Sequence, residues 1–326
     1  MTKNRTRRSI IVLVVLILLT IAAALVACVV GQVHATPHDV TNTILMSWGV
    51  KSDGTTPRIV TSTLWEVRFP RLVIALAVGA GLGCAGALLQ GIFANPLAEP
   101  SIIGVSSGGA VFASGLLAIA SLAGVERSYG FLKWGTALAA FIGALLTTLL
   151  VYSLSRVQGK TVVVNLILVG VAINAMAGGF VTLFSFIGGT MAQSQVVFWQ
   201  LGSLAGAGWS SAVITLIITV IGIVIACLCA PKMDLLALGE NQARHLGVNV
   251  ERFRLCVIIL VAALVGVGVA FAGVIAFVGL IVPHAIRLII GPQHKWLLPT
   301  SAFGGAFVLL VADTCARTII STCLLY

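Results

Sequence analysis

Apolar runs of roughly 20 residues recur along almost the whole chain, each long enough to cross a bilayer as a helix. Nothing else in the sequence limits the fold so strongly. Of the 326 residues, 59% are hydrophobic and only 9% are charged, so a soluble domain built from them would lack polar cover for its surface. The pattern predicts an all-α polytopic membrane protein, a single transmembrane domain over residues 1–326.

Spans are expected at about 10–31, 72–91, 101–123, 134–154, 162–188, 211–230, 254–272, 274–290 and 299–319, nine in all. Lys3, Arg5, Arg7 and Arg8 precede the first, as in a signal peptide, and Leu25-Val26-Ala27-Cys28 looks like a lipoprotein cleavage box. With so many spans behind it, the segment reads as an uncleaved first helix whose residues 1–9 stay in the cytoplasm. Residues 32–70 form a polar stretch with His34, His38, Asp39 and Asp53. Residues 189–209, with Gln193, Gln195, Trp199 and Trp209, read as an interfacial stretch with a short helix, because Trp suits the headgroup level.

Nineteen Lys and Arg face nine Asp and Glu, a formal net charge of +10. The basic residues form no stripe and interleave with no aromatic pattern, which argues against nucleic acid. They divide by side instead. With the N-terminus inside, Lys3, Arg5, Arg7, Arg8, Arg156, Lys160, Lys232, Arg244, Arg252, Arg254, Arg287 and Lys295 fall inside. Lys51, Arg58, Arg68, Arg71, Arg127, Lys133 and Arg317 fall outside. Twelve against seven is a positive-inside bias, and nine spans then leave the C-terminus outside. The seven cysteines mostly sit in apolar runs as small buried residues, and their odd, unpaired spacing is no disulfide framework. Cys227 and Cys229, two apart, point different ways and read as structural rather than as a metal site.

Small residues at four-residue spacing, as in Gly79-x3-Gly83 and at Ala85-Gly86, would let helix backbones approach closely. Gly178-Gly179 and Gly266-x-Gly268 would do the same or mark bends. The loop 231–252 is the longest expected on the cytoplasmic side. Its middle, 238–248, reads as a short helix bounded by glycines, with Leu238, Ala243 and Leu246 as a modest apolar face. Such a helix lies on the membrane or seats in a groove of a partner. Asn95 to Pro100 make a rigid turn between two spans. The helix after it carries Gly104, Ser106, Ser107, Gly108 and Gly109, which suits close packing or a solute path. In 273–287 a Gly-rich apolar run meets Pro283, His284 and Arg287, a group with no use on a lipid-facing helix. Asp313 and Arg317, one helical turn apart, form an intrahelical pair, or else the three arginines Arg68, Arg71 and Arg317 form a basic outer rim for an acidic partner or an anionic solute.

No catalytic set stands out. Gln158-Gly159-Lys160-Thr161 mimics the end of a phosphate loop, yet position 154 is Leu154 where its first Gly belongs, and no strand precedes it. His34 and His38 are four apart but separated by Pro37, a loose spacing for a metal or haem ligand pair. No metal site is assigned.

Three segments, NPLAEPSIIGVSSGGA (95–110), LALGENQARHLGV (236–248) and GVIAFVGLIVPHAIR (273–287), closely resemble permeases of type II ABC importers, which take up ferric siderophores, haem and cobalamin. VRFPR (67–71), WQLGSL (199–204) and VADTCAR (311–317) match as well, so the resemblance runs over about residues 65–319. It implies that fold, a homodimer or paired permease in the bacterial plasma membrane, two cytoplasmic ATPase subunits holding ATP and Mg, and an outside solute-binding protein. The permease itself would hold no cofactor and hydrolyse nothing. By the same resemblance Leu238, Gly239, Glu240, Ala243, Arg244, Leu246 and Gly247 would couple to the ATPase, and Arg68, Arg71 and Arg317 would dock the binding protein. Asn95, Pro96, Gly104, Ser106, Pro283, His284 and Arg287 are the candidates for the path and its gate. The family usually has ten spans, and this chain stops at Ile319 to Tyr326, so the tenth is expected to be missing. The expected function is uptake of a ferric siderophore or haem. Cobalamin import, an ion-coupled secondary transporter, a membrane-embedded enzyme and a non-transporting scaffold are the alternatives.

Overall fold

The computed structural model describes residues 2–31, 33–49, 55–124 and 129–319. Lys51, Asp53, Arg127 and the terminal residues 320–326 lie outside the described residues. The helices are α1 (Thr2–Val29), α2 (Pro37–Ser47), α3 (Arg58–Thr63), α4 (Phe69–Ile92), α5 (Val105–Leu122), α6 (Tyr129–Leu154), α7 (Val163–Ile187) and α8 (Gly189–Leu201). They continue with α9 (Trp209–Leu236), α10 (Glu240–His245), α11 (Val250–Ala272), α12 (Val278–Ile290) and α13 (His294–Ile319). A π turn over Leu64–Arg68 joins α3 to α4, and a 3-10 turn over Pro100–Ile103 precedes α5. Between α6 and α7 a two-residue hairpin pairs β1 (Arg156–Val157) with β2 (Lys160–Thr161). Among the described residues, 8 helical segments are long and apolar enough to cross a membrane.

The run 274–290, expected as a ninth full span, is the exception. Only its second part is helical, as the 13-residue α12. Gly273 at φ 71° and Phe277 at φ 67° break the helix on either side of a short irregular stretch. That stretch finds hydrogen bonds elsewhere: Val274 N–H donates to Trp199 O at 3.3 Å and Phe277 N–H to the Glu99 carboxylate at 2.9 Å. Irregular backbone at membrane depth survives only where such partners exist.

The hub of the bundle is α4, which packs on α13, α9, α11 and α12. Lipid offers no apolar drive between helices, so backbones gain by close approach. A Cβ on Gly79 would strike the Gly305 carbonyl, one on Gly83 the Ser301 carbonyl, and one on Gly86 the Gly279 carbonyl. Pro283, which has no N–H, leaves that Gly279 carbonyl without its helical donor. The Gly79-x3-Gly83 and Gly86 positions are therefore contact points, whereas a Cβ on Gly178 or Gly179 would meet nothing within 4 Å among the described residues.

The chain ends of the helices sort onto two faces of the bundle. One carries the β hairpin, α10 and the α12–α13 turn, tied by Thr161–Glu251 and His294–Asp234 contacts. We call it the hairpin end. The other carries α2, α3 and the residues around Arg68, Arg71 and Arg317, and we call it the arginine end. There a small second core of Cys28, Ala35, Val40, Val60 and Leu64 seats α2 and α3 against α1. Cys28 and Cys84 are buried as expected, Cys256 and Cys315 are exposed, and all six described cysteines are free.

Candidate functional site

The N-terminal turn of α5 builds a polar wall inside an apolar bundle. Gly104, at φ 82°, turns the chain from the 3-10 segment into α5. A Cβ there would sit 3.0 Å from Thr147 Cγ2, so both the angle and the space call for glycine. The turn aims Ser107 at Asn174, a lone amide in the middle of α7. Ser107 Oγ donates to Asn174 Oδ1 at 2.6 Å, and Asn174 Nδ2 donates to Ser101 O at 3.1 Å. One amide thus holds both sides of the break before α5. Beside it opens a cavity of about 440 Å³ whose polar lining includes Ser101, Ser106, Ser107, Asn174, Thr182 and Gln200. Val274 of the irregular stretch closes another side. Polar groups at this depth are costly and mark paths. Hydroxyls and amides can hydrogen-bond a passing solute. Among the described residues no three His, Cys, Asp or Glu come together as a metal site would need.

Of the expected path residues, Ser106 lines this cavity and Gly104 makes the turn beside it. The others do not line this cavity. Asn95 and Pro96 sit in the α4–α5 turn, where Asn95 Oδ1 accepts the Leu97 N–H at 2.9 Å. Pro283, His284 and Arg287 follow α12 against α4 and α13, because the break before α12 turns that helix away from α5. His284 Nδ1 and Arg287 Nε and Nη2 are buried without hydrogen-bond partners among the described residues. Asn174 escaped notice in the sequence, although an amide at the middle of the apolar run of α7 is a readable signal.

At the arginine end the three arginines gather, but not as an open rim. Arg68 is 5% exposed, and its guanidinium donates to Cys28 O at 2.5 Å, Val29 O at 3.1 Å and also to Val33 O. It caps the carbonyls that α1 leaves unpaired at its end. Arg71 holds Asp313 in a fork, with Nε at 3.0 and 3.1 Å and Nη2 at 2.7 Å. Arg317 also reaches Asp313, at 3.4 Å, and donates to Ala27 O at 3.2 Å. The intrahelical Asp313–Arg317 pair exists, yet the closer partner of Asp313 is Arg71. Side chains of Arg71 and Arg317 keep 19% and 18% exposure.

At the hairpin end α10 projects between two glycines, Gly239 at φ 115° and Gly247 at φ 85°. Val248 N–H returns to Ala243 O and Gly247 N–H to Arg244 O, both at 3.0 Å, closing the helix with a left-handed glycine. The apolar face expected from Leu238, Ala243 and Leu246 splits. Ala243 is fully buried and anchors the helix, while Leu238 and Leu246 stand 64% and 60% exposed. Two outward leucines flanking a short charged helix make a surface that a protein groove can take. Glu240, at its first position, reaches Arg254 of α11 at 2.6 Å and lies 3.7 Å from Arg244.

The model of the FecCD transport family matches residues 12–324. The hemin transport system permease protein HmuU of Yersinia pestis is 39% identical over 260 residues, 79% of this chain and 76% of that protein. The cobalamin import system permease protein BtuC of Halobacterium salinarum is 39% identical over 251 residues, 77% of this chain and 65% of that protein. A solved metal-chelate type ABC transporter in an inward-facing conformation superposes with a TM-score of 0.78 at 31% identity, covering 94% of this chain and 90% of that one.

Proposed function

The chain belongs to the FecCD transport family and is a permease subunit of an ABC importer, and from that premise we propose that its cargo is an iron complex, a ferric siderophore or haem. The observation that carries this is the family match across nearly the whole chain together with the polar wall at Ser107 and Asn174. Cobalamin is the second reading, because relatives of equal identity are named for haemin and for cobalamin.

In this reading two permeases pair with their polar walls toward a shared path. The exposed faces of α7, with Val171, Met176 and Phe180, supply contact area for the pairing. Two ATPase subunits seat on α10 at the hairpin end, through Leu238 and Leu246, and hold the ATP and Mg. A binding protein docks at the arginine end. Arg71 and Arg317 retain the exposure to meet its acidic residues, while Arg68 supports them from behind. Closure of the ATPases pulls on α10, the helices rock, and the path opens to alternate sides. The N-terminus lies in the cytoplasm of a bacterial inner membrane, since the basic residues crowd the hairpin end.

Uptake by iron-starved cells lacking the gene, with and without the gene restored, tests the reading. Labelled haem, a ferric siderophore and cobalamin are offered in parallel. Restored entry of an iron complex is expected. Restored entry of cobalamin alone replaces the cargo, and restoration of none, with the protein in the membrane, sinks the transport proposal.

A further inference from the structure

The least expected charge in the molecule is Arg254. It lies near the start of α11, yet it is 1% exposed. Its Nη2 is 2.6 Å from Glu240 Oε1 on α10. Its Nη1 lies 3.6 Å from Glu251 Oε1, one turn back on α11. Both atoms of that second contact are buried and lack a hydrogen bond among the described residues. The other oxygen of Glu251 is fully engaged: it accepts from Thr161 N–H at 3.2 Å and from Thr161 Oγ1 at 2.7 Å. Thr161 closes the hairpin and stands two residues before α7 begins. A single buried guanidinium therefore connects α10, α11 and the entry to α7, and α7 carries Asn174 and Thr182 of the polar wall.

We propose that Arg254 is the joint through which the position of α10 is transmitted to α7. This rests on the reading of α10 as the ATPase seat. The physical ground is the cost of a buried, unpaired charge. Arg254 cannot be left alone when α10 shifts, because an uncompensated buried cation is strongly destabilising. It must follow Glu240 or close its slack contact with Glu251. Either response moves the carboxylate that holds Thr161, and with it the first turn of α7. Glu240 is suited to the outer role, since its side chain is 46% exposed and sits on the projecting helix. Arg254 touches no solute. It is a positioning residue.

Hydrogen exchange on the purified full chain tests the joint without any partner. Glu240→Gln leaves Arg254 in place and weakens its short contact, a mild surface change that spares the fold. The amides of 156–166 are expected to exchange about tenfold faster, together with those of α10, as when a charge-assisted hydrogen bond is weakened. Faster exchange confined to α10 overturns the joint. In the importer assembled with its ATPase and binding protein, Arg254→Lys and Thr161→Val are expected to keep ATPase capture and hydrolysis while solute moved per ATP falls several-fold. An unchanged ratio, or an equal loss of ATPase capture, overturns the joint, because Arg254 would then only build the seat. Coupled exchange in a chain that captures no ATPase supports the joint and removes the transport reading instead.

Discussion

Arg68 shows how far a residue's role can depart from its sequence neighbourhood. An arginine beside Phe69-Pro70 at a span entrance looks like a surface charge. Its actual partners are three main-chain carbonyls, which carry no sequence signature, so nothing in the chain could have announced the cap. Replacing it by Ala leaves those carbonyls unpaired in a buried place and should cost about 1–3 kcal/mol. Thermal unfolding in detergent reads this as a lowered midpoint, with Arg71→Ala shifted less because Arg317 still partners Asp313. A midpoint for Arg68→Ala equal to wild type would show the cap to be dispensable. Asp39 gives the pH-dependent counterpart. It accepts the Thr36 N–H and hydroxyl at the start of α2, and these bonds hold its carboxyl below the usual carboxylate range. A depressed folded value means the cap is at full strength above the ordinary carboxylate range and is lost as pH falls through the depressed value. Amides of the first turn of α2 should lose exchange protection on acidification through that window. Asp39→Asn should show low protection that no longer changes with acid, and the same acid response in that variant would exclude Asp39 as the cause.

At the scale of elements, the sequence exposed most of the bundle because apolar length is a direct physical requirement of spanning a membrane. Seven of the nine expected spans fall on α1 and the long helices α4, α6, α7, α9, α11 and α13. The span expected from residue 101 begins instead with the 3-10 turn and the Gly104 hinge before α5. The miss at 274–290 has a definite cause: hydropathy cannot tell a helix from an apolar stretch whose backbone bonds are made to Trp199 and Glu99. Glycines were equally ambiguous. Gly86 and Gly179 look alike in sequence, yet a Cβ on the first would strike a carbonyl and one on the second would meet nothing within 4 Å among the described residues. Gly86→Val should therefore force α4 and α12 apart at a cost of about 1–3 kcal/mol or more. It should reduce the yield of monodisperse protein. Gly179→Ala should be neutral or stabilising by up to about 1 kcal/mol, since Ala is the better helix former. Equal loss from both variants in a size-exclusion and thermal assay would refute close packing at Gly86. The short α10 was legible from its bounding glycines. Its connection through Arg254 was not, because Glu240, Glu251 and Thr161 are brought together only by the fold.

For the whole molecule, charge and architecture meet at the question of sidedness. The twelve basic residues that the sequence assigns to one side and the seven assigned to the other were grouped by loop counting alone. A change in the number of crossings between them would have mixed the sets. Among the described residues the structure keeps the two groups apart even though α12 is short, because the chain after the irregular stretch 273–277 still reaches the α12–α13 turn at the hairpin end. Hence Arg156, Lys160, Lys232, Arg244, Arg252 and Lys295 share an end with α10, and Arg58, Arg68, Arg71, Lys133 and Arg317 share the other. Basic residues are retained on the cytoplasmic side during insertion, so the hairpin end should face the cytoplasm. Single cysteines placed at exposed positions 159 and 48, in a background without native cysteines, read this directly. In intact cells a membrane-impermeant thiol reagent should label Trp48→Cys and spare Gly159→Cys, and permeabilisation should expose both. The reverse pattern would place α10 outside, where no ATP-hydrolysing partner could seat on it. It would overturn the direction of transport and the role of α10 together, while leaving the fold untouched.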